Sequence, residues 1–188
     1  MKWFRAITIL SAAWLGVFLQ AKCGITRTLL AAQLDVLPPL LVYTALTSTV
    51  GMVALVAVWG GLCLDALSAN PLGVSILPLF VVGLAINRGR GLILHWQITA
   101  RLALGAAAGA AVPTLTVLLL LTGGHNPLLS WGSVWQLLVM SASAAVLTPA
   151  VFKLFELVDC AFAYRPAGAT SFRHDREIRR DKVLKEAE

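Results

Sequence analysis

The chain has 188 residues, 59% of them apolar and only 13% charged, with a mean hydropathy of +0.83 and a net charge of +6. A soluble domain carries about 25% charged residues, so an ordinary water-soluble fold is excluded. One membrane-crossing helix takes ~20 apolar residues, so the composition provides for five or six spans and leaves no room for a separate soluble catalytic domain.

The charges are unevenly placed. Asp159 to Glu188 holds seven Lys/Arg and six Asp/Glu, against eight basic and three acidic residues before it. This split predicts a transmembrane helical domain over 1–158 and a charged, solvated tail over 159–188. The basic excess is a membrane-surface signal, because cations beside anionic headgroups are favoured; it does not point to nucleic acid.

The first predicted span runs from Phe4 to Leu19, with Trp3 and Phe4 at headgroup level and Gln20 and Lys22 closing it. Lys2 and Arg5 ahead of Ala6–Leu19 also imitate a secretory signal, but the apolar character of the rest of the chain favours a retained span. The second segment is short. Its cleanly apolar part, Val36 to Leu46, has 11 residues, which reach only about 16 Å of a ~30 Å hydrocarbon core. Starting the helix near Arg27 supplies length, but it draws Asp35 into the membrane and puts Pro38-Pro39 inside the helix, so a tilted or broken helix is expected.

The third span, Val50 to Leu67, contains Gly51, Gly60 and Gly61 and ends near Asp65. The fourth, Leu72 to Ile86, carries Pro78 and stops at Asn87-Arg88-Gly89-Arg90. Trp96–Leu121 forms the fifth and longest, and Trp131–Leu157 the sixth, with Pro149 near its end. Gly123-Gly124-His125-Asn126-Pro127 between them is a dense turn signal. The expected architecture is an all-α polytopic membrane protein of about six short transmembrane helices. With the N-terminus inside, Lys2, Arg5, Arg88, Arg90, Arg101, Lys153 and the tail fall on the cytoplasmic side and only Lys22 and Arg27 outside, so both termini are expected to be cytoplasmic. Trp3, Trp96, Trp131 and Trp135 fall at the expected interfaces.

The most informative stretch lies between Gly60 and Gly73. Asp65 and Ser68 are three apart and share a helix face, and Pro71 and Gly73 break the helix and turn it into the next span. Two readings compete. Asp65 or Asn70 can hydrogen-bond free backbone groups at a tight turn, where bare dipoles at membrane depth are costly. Alternatively Asp65 contacts a partner or ligand, since an ionisable residue near lipid needs a reason.

Three stretches together resemble the bacterial rod shape-determining membrane protein family MreD: Leu34-Asp35-Val36-Leu37-Pro38-Pro39-Leu40-Leu41-Val42-Tyr43, the Gly-Leu-x-Leu-Asp-x-x-Ser-x-x-Pro-Leu-Gly pattern from Gly61 to Gly73, and Leu147-Thr148-Pro149-Ala150-Val151-Phe152. The second is the specific one; the first and third gain weight from order and spacing. The resemblance spans the membrane part up to Lys153. It implies a non-enzymatic scaffold of the cell-wall elongation machinery in the cytoplasmic membrane, without cofactors. Its implied partners are the single-span protein MreC and, through it, the RodA polymerase, a penicillin-binding transpeptidase and the actin-like MreB filament.

Gly105-Ala106-Ala107-Ala108-Gly109 in the fifth span is a GxxxG on the ridge Arg101, Gly105, Gly109, Pro113, matched by Ser141, Ala145 and Pro149 in the sixth and by Ala12 and Gly16 in the first. Such ridges let helix backbones approach closely, either within the chain or against a partner's span. Arg101 either snorkels to the headgroups or pairs with Glu156. Cys23, Cys63 and Cys160 are far apart and make no metal or redox motif, and His95, His125 and His174 have no second ligand nearby. No Ser/His/Asp array, Walker loop or carboxylate pair is present, which argues against an enzyme acting on lipids. The competing function is a substrate-binding subunit of an energy-coupling-factor-type transporter. That role needs convergent polar groups, and the chain offers few: Asp35, Asp65, Ser68, Asn70, His125 and Asn126.

Overall fold

The computed structural model describes residues 2–22, 35–68, 71–91, 98–124 and 131–162. Every regular element among them is an α-helix: α1 (Lys2–Lys22), α2 (Leu37–Thr47), α3 (Val50–Leu67), α4 (Ile76–Gly89), α5 (Ile98–Thr122) and α6 (Trp131–Phe162). The all-α class therefore holds. Cys23, Arg27 to Leu34, Asn70, His95, Trp96, His125-Asn126-Pro127 and the tail from 163 onward lie outside the described residues. Met1–Phe155 forms one compact unit and Glu156–Glu188 a second, whose described part is the end of α6.

Helix length divides the six helices into two groups. Val50–Leu67, Ile98–Thr122 and Trp131–Cys160, with 18, 25 and 30 residues, are long and apolar enough to cross a membrane. Ala6–Gln20, Leu37–Thr47 and Ile76–Gly89 are shorter apolar helices. At ~1.5 Å per residue α2 rises about 16 Å and α4 about 21 Å, short of a ~30 Å hydrocarbon core. α4 also begins later than the expected Leu72 and runs past Ile86, because Pro71 to Ser75 is taken up by turns.

The shortest helix is the most enclosed. All residues of α2 from Leu37 to Leu46 are buried, as befits a helix apolar around its whole circumference. It packs against α1, α3, α4 and α5. Tyr43 reaches α6, stacking on Phe155 with ring centroids 4.3 Å apart and meeting Phe152 edge-on at 5.0 Å. Each of the other five helices thus touches α2. Pro38-Pro39 do not kink a longer helix; they stand in the first turn of a new one, where no N–H is required of them. Close approach is bought by glycine at two contacts: a Cβ on Gly60 would overlap the Leu37 side chain, and one on Gly83 would stand 2.6 Å from Val53 Cγ1 and 3.0 Å from Leu41 Cδ1.

A buried helix has orphan backbone groups at both ends, and side chains take them up. At the N-terminal end the Leu37 N–H donates to Asp35 Oδ1 (3.1 Å) and the Val36 N–H to Gln20 Oε1 of α1 (3.3 Å). At the C-terminal end Asn87 Nδ2 of α4 donates to the Ala45 carbonyl (2.6 Å) and the Ser48 carbonyl (3.2 Å), and Arg90 Nη1 also donates to Ser48 O (3.0 Å). Among the described residues no buried side-chain nitrogen or oxygen lacks a partner.

Asn87→Leu keeps the volume and removes a donor serving two carbonyls. It is expected to lower stability by about 1–3 kcal/mol, read as a lower unfolding midpoint of the detergent-solubilised chain. Arg88→Gln, at an exposed position beside it, should move the midpoint by no more than about 0.5 kcal/mol equivalent. Equal midpoints for Asn87→Leu and the parent chain would contradict the role given to Asn87.

Candidate functional site

The connection from α3 to α4 is built around one carboxylate. Asp65 lies in the last turn of α3 and is 1% exposed. After Pro71 the chain makes consecutive turns, with the Val74 N–H donating to Pro71 O (3.4 Å) and the Ile76 N–H to Gly73 O (3.3 Å). Gly73 has φ +96°, in the left-handed region that favours glycine. The turn aims its N–H at Asp65 Oδ2 (2.8 Å), which also accepts the Ser75 N–H (3.2 Å), while Oδ1 accepts the Ser75 hydroxyl. A carboxylate placed where α4 begins also meets the positive end of that helix's dipole.

This geometry supplies a structural reason for an acid at this depth: both Asp65 oxygens are engaged by the chain's own backbone and by Ser75. Ser68, at the C-cap of α3, is exposed and donates its N–H to Asp65 O (3.2 Å). Pro71 is exposed and opens the turn. Ser75 is a partner that the spacing of Asp65 and Ser68 did not single out. Its signal is its place, a buried hydroxyl residue immediately before the apolar run Ile76-Leu77-Pro78-Leu79, the position where helix caps concentrate.

Asn87 and Arg90, which in the sequence belong to a basic turn, hold the end of α2. Asn87 had a legible signal. Leu79, Val82, Gly83, Ile86 and Asn87 follow the i, i+3, i+4, i+7, i+8 spacing of one buried helix face, so a polar group there must find a partner inside.

The GxxxG faces α6 of the same chain. A Cβ on Gly105 would overlap Thr148, and one on Gly109 would stand 2.5 Å from Ala144 Cβ and 3.0 Å from Met140 O. The Ser141 hydroxyl donates to Ala106 O (3.0 Å) across the same seam. The facing residues of α6 are thus Ser141, Ala144 and Thr148, which corrects the expected ridge of Ser141, Ala145 and Pro149; buried Ala144 and Thr148 mark the face. The Arg101 guanidinium lies 4.3 Å from the Phe152 ring centroid, a cation–π contact.

A cleft of about 440 Å³ opens between α1, α2 and α6. Gln20 is its polar lining residue; the others, among them Leu15, Leu19, Leu40, Leu154 and Phe155, are apolar. Among the described residues no three His, Cys, Asp or Glu side chains come together as a metal site, and Cys63 and Cys160 are free thiols. No protein family, curated protein or solved structure matches the chain.

Three substitutions rank the parts of the turn. Asp65→Ala deprives buried donors of their acceptor and should cost about 3 kcal/mol. Gly73→Ala, which has space for a methyl group but the wrong φ, should cost about 1–2 kcal/mol. Ser75→Ala removes one hydroxyl and should cost about 1 kcal/mol. Thermal unfolding in detergent reads the order; an Asp65→Ala midpoint above that of Ser75→Ala would refute it.

Proposed function

We propose that the chain is a non-enzymatic integral membrane scaffold subunit of the bacterial cell-wall elongation complex, similar to MreD, set in the cytoplasmic membrane with both termini on the cytoplasmic side. One observation carries the reading: the three stretches on which the resemblance rests are adjacent in the fold. Leu37 of the first packs on Gly60, the residue just before the Gly61–Gly73 pattern. Tyr43 of the first meets Phe152 of the third. Residues that seemed ordinary membrane sequence when taken singly are thus joined around α2, as expected if they define one fold.

A scaffold needs a fixed shape and lipid-facing surface for partner helices. Polar side chains that stabilise backbone ends support the first requirement. For the second, Leu55, Val58, Trp59 and Leu62 form an exposed apolar stripe on α3, while the small-residue seam of α5 is filled by α6. Partners of this scaffold are a single-span MreC-like protein and, through it, RodA, the penicillin-binding transpeptidase and MreB. The transporter alternative gains little from the cleft, since a water-soluble substrate needs several convergent polar groups and the lining supplies Gln20.

Depleting the protein from its rod-shaped host should make the cells round, and re-expression should restore both rod width and co-purification with the host's MreC. Gly109→Leu should fail in both respects because it separates α5 from α6. Unchanged cell width after depletion, together with no recovery of MreC on the tagged chain, would overturn the proposal.

A further inference from the structure

Asp35 and Asp65 are both buried acids, but the fold surrounds them differently. Asp65 accepts three hydrogen bonds through its side chain, two from backbone N–H groups and one from the Ser75 hydroxyl. Asp35, 7% exposed, accepts one, from the Leu37 N–H to Oδ1. Among the described residues nothing else bonds or pairs with its carboxylate. It precedes α2 and lies outside the three helices of crossing length.

The helices packed around this end of α2 meet it with uncharged groups. α1 presents Gly16 and Gln20 to Val36, and its Lys22 is exposed. α3 meets Leu37 at Gly60; of its titratable groups, Asp65 is held by Gly73 and Ser75, and Cys63 is a free thiol. α6 lines the space beside Val36 with Val151, Leu154 and Phe155, while its Lys153 and Glu156 are exposed. The cations of α4 and α5 belong to the opposite end of α2: Arg90 bonds Ser48, Arg88 is exposed, and Arg101 stacks on Phe152, whose ring meets Tyr43. A carboxylate in such surroundings loses its hydration, and one N–H together with the helix dipole restores less than burial removes. Burial pushes the Asp35 carboxyl up from 3.8 to about 6, against the opposing pull of the Leu37 N–H.

We propose that Asp35 is a proton-binding site at the joint of α1 and α2, where uptake of the proton tightens this end of α2 and its release loosens it. This device does not depend on the scaffold reading. Its sign follows from linkage. Between about pH 4 and pH 6 the unfolded chain has released this proton and the folded chain retains it, so stability falls as pH rises through that window.

The test compares the full chain with Asp35→Asn, which keeps an acceptor for the Leu37 N–H and carries no charge, by denaturant unfolding in a non-ionic detergent. Between about pH 5 and about pH 7.5 the folding equilibrium constant should fall about tenfold more in the parent chain than in the variant. At the higher pH Asp35→Asn should be the more stable of the two, whereas a purely structural cap predicts equal stability, since Asn caps as well as Asp. A second readout needs no variant. In the parent chain the Leu40 amide, which bonds Val36 O in the first turn of α2, should lose about tenfold in protection over the same interval, once the intrinsic pH dependence of amide exchange is divided out. Stability that rises with pH here, as an ion-paired carboxylate gives, would overturn the proposal. So would a pH dependence that Asp35→Asn leaves intact, or a Leu40 amide equally protected at both.

Discussion

The enclosure of α2 is the constraint on which the other helices depend. A helix shielded on all sides from water and lipid must have its end groups satisfied by the protein, because unpaired amides and carbonyls in such surroundings cost several kcal/mol each. Four side chains do this: Asp35 and Gln20 at one end, Asn87 and Arg90 at the other. Apolar side walls tolerate sliding and rotation, whereas hydrogen bonds to particular carbonyls do not. The end contacts therefore fix how α1 and α4 sit on α2, and α3 follows through the Asp65 turn that joins it to α4.

The same economy governs the rest of the unit. Polar side chains are few before Asp159, and among the described residues the buried ones are directed at backbone, apart from the Ser75 hydroxyl, which donates to Asp65. Asp65 holds the start of α4, Thr44 bonds the carbonyl of Leu40 and Thr148 that of Ala144. Where helices must approach closely, glycine removes the obstacle, at Gly60 and Gly83 around α2 and at Gly105 and Gly109 against α6. A frame made this way keeps its polar contacts inside and leaves large apolar side chains such as Leu55, Val58, Trp59 and Leu62 at its surface.

Much of this was legible in the residue order. The apolar run Val50–Leu67 gave α3 its bounds, and an acid next to helix breakers pointed to a polar knot at Asp65. Pro38-Pro39 announced a break, though whether it kinked a helix or opened one depended on where the preceding residues went. The missing parts are those that require a partner from far along the chain. Nothing beside Asn87 names Ala45, 42 residues away, as its acceptor, and nothing local to Tyr43 predicts Phe155. Which of the short helices is enclosed was not legible for a related reason: hydropathy records apolar character, and a helix buried in protein is as apolar as one that faces lipid.

Amide hydrogen exchange of the full chain in nanodiscs tests the central role of α2 most directly. Exchange reports the free energy of opening, and an isolated 11-residue helix is marginal in water. If α2 is the enclosed centre with both ends held, the amides of Leu40 to Thr47 exchange as slowly as those in the middle of the far longer α5. Exchange of these amides at the rate of the Pro71–Ser75 turn would show that α2 is not held, and would contradict the account.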